Sequence, residues 1–264
     1  MLFYFCPMSS ALLNIGLVQF DVSWERPDLN MQRIESLIAD QVGFDLLLLP
    51  EMWSSGFTMT PETASEPAQG PALQWMIQKA RQWDTAIAGS ISVSDGPAYF
   101  NRFYCTWPDG RVAHYDKKHL FSFGKEDQHY TPGQTQVQID IKGWKIRPII
   151  CYDLRFPVWC RNNDNYDILL VVANWPIPRI HHWDTLLRAR AIENQCFVVA
   201  VNRSGEDATG LQYNGHSSIY AMNGLDSLVM EDKEAVGRLS LDKNELISYR
   251  NQFRFLQDRD TFTL

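Results

Sequence analysis

The chain has 264 residues, 45% of them hydrophobic and 21% charged, with a formal net charge of −7 at pH 7. This is the composition of an ordinary soluble globular protein with enough chain to bury a substantial core. The acidic balance sets nucleic acid and anionic membrane aside as main partners. Five cysteines, at 6, 105, 151, 160 and 196, form no C-x-x-C pair. They make neither a disulfide framework nor a zinc ribbon, and they fit a reducing, cytoplasmic location.

The opening Met1-Leu2-Phe3-Tyr4-Phe5-Cys6-Pro7 is apolar but lacks a basic flank and a small-residue cleavage site, so it is a poor signal peptide. Residues 1–8 read as an extension outside the fold, and 9–264 as one domain. Residues 13–20 read as a buried strand. Met31, Ile34, Leu37 and Ile38 mark an amphipathic helix entered after Pro27-Asp28. A second apolar run, 45–49, ends at Pro50-Glu51. Leu73, Met76, Ile77 and Ala80 mark another helix, and 86–93 a strand.

Two hairpins follow. One turns at Pro108-Asp109-Gly110; the other turns near Lys142-Gly143, between strands at 137–141 and 146–150. Residues 167–173 form a buried strand, 181–194 a helix and 196–201 a strand. Asn223-Gly224 joins another hairpin, and a strand near 235–241 leads into a helix from about Asp242. The aromatic and charged tail, 249–264, is expected to dock on the body or on a partner subunit. Continuous apolar strands alternating with helices in both halves indicate an α/β fold with two layers of sheet inside two layers of helix.

Three polar residues close apolar strands. Glu51 ends the second run, Lys117 follows the strand at 111–115, and Cys151 ends the strand at 146–150. Taken alone, Glu51 reads as a solvated carboxylate, Lys117 or Lys118 as a surface lysine, and Cys151 as a small core hydrophobe. Sites in α/β sheets gather at strand ends, where one cleft can hold a base, a cation and a thiol together.

The ordered motifs resemble those of the nitrilase (carbon–nitrogen hydrolase) superfamily. They are Leu49-Pro50-Glu51-Met52, Tyr115-Asp116-Lys117-Lys118-His119-Leu120-Phe121, Glu126 with Thr131-Pro132-Gly133, and Ile150-Cys151-Tyr152-Asp153-Leu154-Arg155-Phe156-Pro157. Val172-Ala173-Asn174-Trp175-Pro176 and Arg190-Ala191-Ile192-Glu193-Asn194-Gln195 complete the set. The motif around Phe57, the Tyr-Asp-Lys-Lys form and Ala-Asn-Trp-Pro are most similar to the omega-amidase branch. The resemblance implies a four-layer αββα sandwich, a homodimer formed through helices and the C-terminal segment, and hydrolysis of the terminal amide of 2-oxoglutaramate or 2-oxosuccinamate to the 2-oxo acid and ammonia. It also implies Glu51 as general base, Lys117 rather than Lys118 as the cation, Cys151 as nucleophile and Glu126 as a second, supporting glutamate; Asp127 is a neighbouring candidate for that last place.

The chemistry calls for these types. An amide is a poor electrophile, and an isolated thiol of pKa ~8.5 supplies little thiolate. A carboxylate can take the thiol proton and hand it to departing ammonia. Lys117 and the backbone N–H of Tyr152 would face the oxyanion. A carboxylate at the far end of the substrate calls for a cation, for which Arg155 and Arg179 are candidates; Phe57, Asn174 and Trp175 complete the expected pocket. Arg155 has an alternative partner in Asp153, and Arg179 an alternative place on the surface. His181-His182 lacks a third ligand at metal spacing and reads as a helix start, and His119 as an orienting partner. The expected protein is a cytoplasmic amidase acting on a small-molecule amide, with no metal or other cofactor. Rival readings are an enzyme for another C–N substrate (an N-carbamoyl amine, an aliphatic amide or a nitrile) and a non-catalytic binding protein.

Overall fold

The computed structural model describes residues 11–262. The expected extension at 1–8, and Cys6 with it, lies outside them. The first half runs β1 (Leu12–Gln19), α1 (Pro27–Ile38), β2 (Leu46–Leu48), α2 (Pro61–Ala64), β3 (Glu66–Pro67), α3 (Pro71–Trp83), β4 (Ala86–Asp95), β5 (Ala98–Thr106) and β6 (Val112–Asp116). Next come β7 (Ile139–Ile141), β8 (Trp144–Ile150), α4 (Pro157–Cys160), β9 (Ile168–Ala173), α5 (Ile180–Asn194) and β10 (Phe197–Asn202). The chain closes with β11 (Ser204–Glu206), β12 (Gln212–Asn214), β13 (Ser218–Tyr220), β14 (Asp226–Val229), β15 (Ala235–Asp242) and α6 (Lys243–Gln252).

One sheet has the order β15-β1-β2-β4-β5-β6, with β3 alongside β4, and the other the order β14-β13-β10-β9-β8-β7. In each, three central strands are parallel and the flanking strands antiparallel, except that the short β3 pairs with β4 in parallel. The two-residue period of a strand sorts the first sheet's side chains. Leu13, Ile15, Leu17, Leu46 and Leu48 face a core shared with the second sheet. Val18, Phe20, Leu47 and Leu49 face a second core closed by Ile34 and Ile38 of α1 and Leu73, Met76 and Ala80 of α3. Trp183, Leu187 and Ala191 of α5 pack on the second sheet. The layers are therefore helix, sheet, sheet, helix, as expected.

Three features differ from the sequence reading. Strands β4 and β5 pair antiparallel across Asp95–Ala98, a third hairpin in the middle of the chain. Its turn contains Gly96 at φ +60°, the left-handed region that glycine enters without strain. Strands β11 and β12 form a further hairpin; at three residues each, with a polar, glycine-containing connection, they carry no readable alternation. The run at 45–49 is strand only over Leu46–Leu48, because Pro50 has no N–H to extend the ladder. The tail makes contacts with the body, one of its two expected resting places. Arg250 donates to the carbonyls of Tyr166 and Gln195 at 2.6 and 2.8 Å, and Leu256 N–H to Gln195 Oε1 at 3.2 Å. Cys105, Cys160 and Cys196 are buried free thiols, and burial pushes Cys160 and Cys196 up to about 12. Among the described residues no helix is long and apolar enough to cross a membrane.

Glu66 of β3 accepts a hydrogen bond from Ala72 N–H in the first turn of α3 at 2.6 Å, yet burial raises its pKa from 4.5 to about 7. The folded state therefore holds this proton more tightly than the unfolded chain. Stability from this group is full below about pH 4.5 and is lost as pH rises toward 7. Glu66→Gln is expected to raise Tm at pH 8, by a stabilisation on the order of 1–3 kcal/mol, and to leave it unchanged at pH 4. An equal Tm difference at both pH values would contradict the assignment.

Candidate active site

Four chain segments leave the two sheets at neighbouring strand ends. Past β2 the chain reaches Glu51 and turns at Met52, which has φ +42°; Ser90 of β4 holds the turn by accepting Met52 N–H at its Oγ (2.8 Å) and Trp53 N–H at its carbonyl (3.1 Å). Past β6 comes Lys117, whose carbonyl accepts Gly133 N–H at 2.8 Å. A Cβ on Gly133 would lie 2.1 Å from the Asp116 carbonyl oxygen, so only glycine lets the two segments meet. Past β9 comes Asn174. Past β8 the chain turns at Cys151, with φ +43°. A non-glycine residue in this region stores on the order of 1–3 kcal/mol of strain. Asp153 holds the turn: it accepts Ile150 N–H at 3.0 Å, Tyr115 O–H at 2.7 Å and His119 N–H at 2.9 Å, with the His119 ring nitrogen at 2.8 Å. This ties the Cys151 turn to the lysine loop, and His119 has the orienting place expected of it.

The side chains converge. Lys117 Nζ donates to Glu51 Oε1 at 2.8 Å and to both oxygens of Glu126 at 3.0 and 2.8 Å. All three residues are fully buried. Asn174 N–H donates to Glu51 Oε2 at 2.8 Å, and its carbonyl lies 3.9 Å from Cys151 Sγ. The Glu51 charge also acts on the nearby Cys151 thiol. Asp127 is exposed and Lys118 pairs with Gln134 at 2.9 Å, so Glu126 and Lys117 hold the inner places.

Burial shapes the protonation states. Loss of water would lower Lys117, but the charges of Glu126 and Glu51 and the nearby Cys151 outweigh it and hold the ammonium well above its ordinary range. Burial raises Glu126, Lys117 pulls it down and Glu51 pushes it up again, leaving it above the usual carboxylate value. Burial, and then the Glu51 charge, push the Cys151 thiol far up, with Lys117 opposing them. The Cys151 thiol is therefore neutral at rest.

Cys151 lines a cavity of about 310 Å³. All six expected pocket residues, Phe57, Tyr152, Arg155, Asn174, Trp175 and Arg179, line it too. The alternative pairing of Arg155 with Asp153 does not form, because the donors named above occupy that carboxylate. Arg155 lies over the Trp175 ring at 4.8 Å and contacts His182 Nδ1 at 3.1 Å. Arg179 is half-buried, 5.4 Å from the Phe121 ring centre.

Sequence reasoning missed Asn101, which donates to both glutamates. Its one signal was an amide beside an arginine between the aromatic residues Phe100 and Phe103. It also missed Trp24, Met59, Phe121, Phe123 and the turn of the β11–β12 hairpin as cavity walls. Residues from such distant stretches carried no common signal. Among the described residues no cluster of His, Cys, Asp and Glu is arranged to hold a metal ion.

Residues 14–250 match the carbon-nitrogen hydrolase family model. The chain is 41% identical over 254 residues to the omega-amidase YafV of Escherichia coli (strain K12), covering 96% of this chain and 98% of that one. With the 2-oxoglutaramate amidase of Bacillus subtilis (strain 168) it shares 33% identity over 251 residues, 92% of this chain and 96% of that protein. The crystal structure of XC1258 from Xanthomonas campestris, a CN-hydrolase superfamily protein with an arsenic adduct in its active site, superposes with a TM-score of 0.94 at 39% identity, covering 96% of this chain and 99% of the other. The chain belongs to the carbon-nitrogen hydrolase family and is a hydrolytic enzyme with that family's fold.

Removing the cation should expose the cost of the buried carboxylates. Lys117→Met is expected to lose about 3–5 kcal/mol in urea unfolding, and adding Glu126→Gln to recover part of it. Wild-type stability in Lys117→Met would contradict a buried ammonium that offsets the two glutamates.

Proposed function

We propose that this family member is an omega-amidase: a thiol amidase hydrolysing the terminal amide of 2-oxoglutaramate or 2-oxosuccinamate to the 2-oxo acid and ammonia. One observation carries the reading. Cys151 opens onto a small aromatic cavity containing Arg155 and Arg179, with a carboxylate and an ammonium packed behind it. The names and high coverage of the two curated relatives support the substrate class.

The amide carbon sits against Cys151 Sγ, and the far carboxylate of the substrate reaches Arg155 or Arg179. Glu51 takes the thiol proton as the S–C bond forms. The proton then passes to the amide nitrogen, the C–N bond breaks and ammonia leaves a thioester on Cys151. Water enters ammonia's place and Glu51 removes a proton from it. The C–S bond breaks, and the thiol is restored as the 2-oxo acid departs. Negative charge on the tetrahedral oxygen faces the Tyr152 N–H and the Lys117 charge in a dry site, where such donors are typically worth about 10²–10³ in kcat each. Lys117 Nζ has three protons, and two of its three carboxylate contacts are to Glu126. One of that pair can give way to the oxyanion without releasing Glu51.

The working form in this reading is a cytoplasmic homodimer. Ile192 of α5 is 50% exposed, Leu225 beside β14 63% and Phe255 of the tail 58%, an apolar set that a second copy would cover.

Ammonia release from 2-oxoglutaramate is expected from wild type and absent, to within background, from Cys151→Ala. Activity surviving in the variant would overturn the nucleophile. Turnover of only a carbamoyl compound or a nitrile by wild type would overturn the substrate class. Loss of a charged pairing costs about 10–100-fold. Arg155→Met should therefore raise KM for 2-oxoglutaramate by about that factor, with little effect on a neutral aliphatic amide. An equal effect on both substrates would place the substrate carboxylate elsewhere.

A further inference from the structure

We propose that Asn101 is a positioning residue that keeps Glu51 ionised and aimed at Cys151. This rests on the general-base reading of Glu51. Glu51 and Glu126 bring two negative charges to one buried ammonium. Such a cluster favours taking up a proton unless neutral donors make up the difference. Two of those donors each serve one carboxylate: Asn174 N–H bonds Glu51 Oε2 at 2.8 Å, and Phe121 N–H bonds Glu126 Oε2 at 2.6 Å. Asn101 serves both. Its Nδ2 donates to Glu51 Oε1 at 2.8 Å and to Glu126 Oε1 at 3.2 Å, the atoms that also accept from Lys117 Nζ. One ammonium and one amide thus hold a pair of like-charged oxygens, and Glu51 Oε2 is held separately by the Asn174 N–H, whose own carbonyl lies 3.9 Å from the Cys151 thiol.

The chemistry of the neighbours fixes the amide's orientation. Flipping it would set a carbonyl oxygen against two carboxylate oxygens. In the observed orientation Asn101 Oδ1 is buried without a hydrogen-bond partner among the described residues. Interiors rarely leave such an acceptor unmatched, and where they do the residue serves something else. Here both amide protons are committed to the carboxylates. The carrier is rigid as well: Asn101 O accepts Lys117 N–H at 3.0 Å, and next door Arg102 grips Asp116 through two bonds of 2.6 and 3.0 Å. One stretch of β5 therefore positions the cation's backbone and both carboxylates.

Without the amide donors, protonated Glu51 gains on its ionised form, and the base fails at a higher pH. The test compares wild type, Asn101→Leu, which keeps the volume without donors, and Asn101→Ser, which keeps one donor. Two profiles are measured against pH: kcat/KM for ammonia release from 2-oxoglutaramate, and the rate of Cys151 alkylation by iodoacetamide, which needs no substrate. The expected result is an acid limb moved upward by about one pH unit in both profiles for Asn101→Leu, a tenfold loss on that side, with a smaller shift for Asn101→Ser. A uniform loss of rate with the acid limb unmoved would overturn the proposal, leaving Asn101 a packing residue. If the leucine variant does not fold, an unmoved limb in the serine variant does the same. If wild type releases no ammonia, the alkylation profile still decides the role of Asn101, and the substrate reading alone falls.

Discussion

A single ammonium, Lys117 Nζ, lies within 3.0 Å of oxygens from two buried carboxylates, and the rest of the site depends on that contact. Each partner alone would be costly inside the protein, and burial would neutralise it. Together the ammonium offsets part of the carboxylates' charge, and N–H groups from three further segments, at Asn101, Phe121 and Asn174, bond the same oxygens. The same charge bears on Cys151. It keeps the thiol protonated at rest, so the thiolate forms only as a substrate carbonyl arrives to take its electrons.

The fold supplies this arrangement through strand ends. The Glu51 and Lys117 segments leave the first sheet, and the Cys151 and Asn174 segments leave the second, all beside the shared core. Strands β2, β8 and β9 are largely buried and cannot shift without moving a whole side-chain set, so the residues just past their ends are held firmly although they lie in loops; Lys117, past the more exposed β6, is held by its backbone bonds to Asn101 and Gly133. Asp153 and Gly133 then lock loop to loop, one through hydrogen bonds and the other through the absence of a side chain. Much of the cavity wall comes from less regular segments, including the β11–β12 hairpin.

The architecture was legible because its strands are continuous apolar runs ended by turn residues, and its helices carry one apolar stripe. Glu51, Lys117 and Cys151 were legible for a related reason: each is a reactive residue where an apolar run stops. Choosing Glu126 over Asp127, or Lys117 over Lys118, depends on which neighbour points inward, and adjacent residues in an irregular segment give no period from which to read that. Asn101 stayed hidden because a buried amide in a strand looks the same whether it packs or serves a site. The walls at Trp24, Phe121 and the β11–β12 turn meet only in three dimensions. Arg155 shows the limit from the other side: its sequence neighbour Asp153 offered an obvious partner, and the fold gave that carboxylate to Ile150, Tyr115 and His119 instead.

A covalent thioester on Cys151 is tested most directly by a rapid acid quench during the first turnover of 2-oxoglutaramate, followed by peptide mass analysis. The expected result is an acyl group, the substrate less ammonia, on the peptide containing Cys151, together with up to one equivalent of ammonia per site released ahead of the 2-oxo acid. Ammonia and 2-oxo acid appearing strictly together, with Cys151 unmodified throughout, would contradict it.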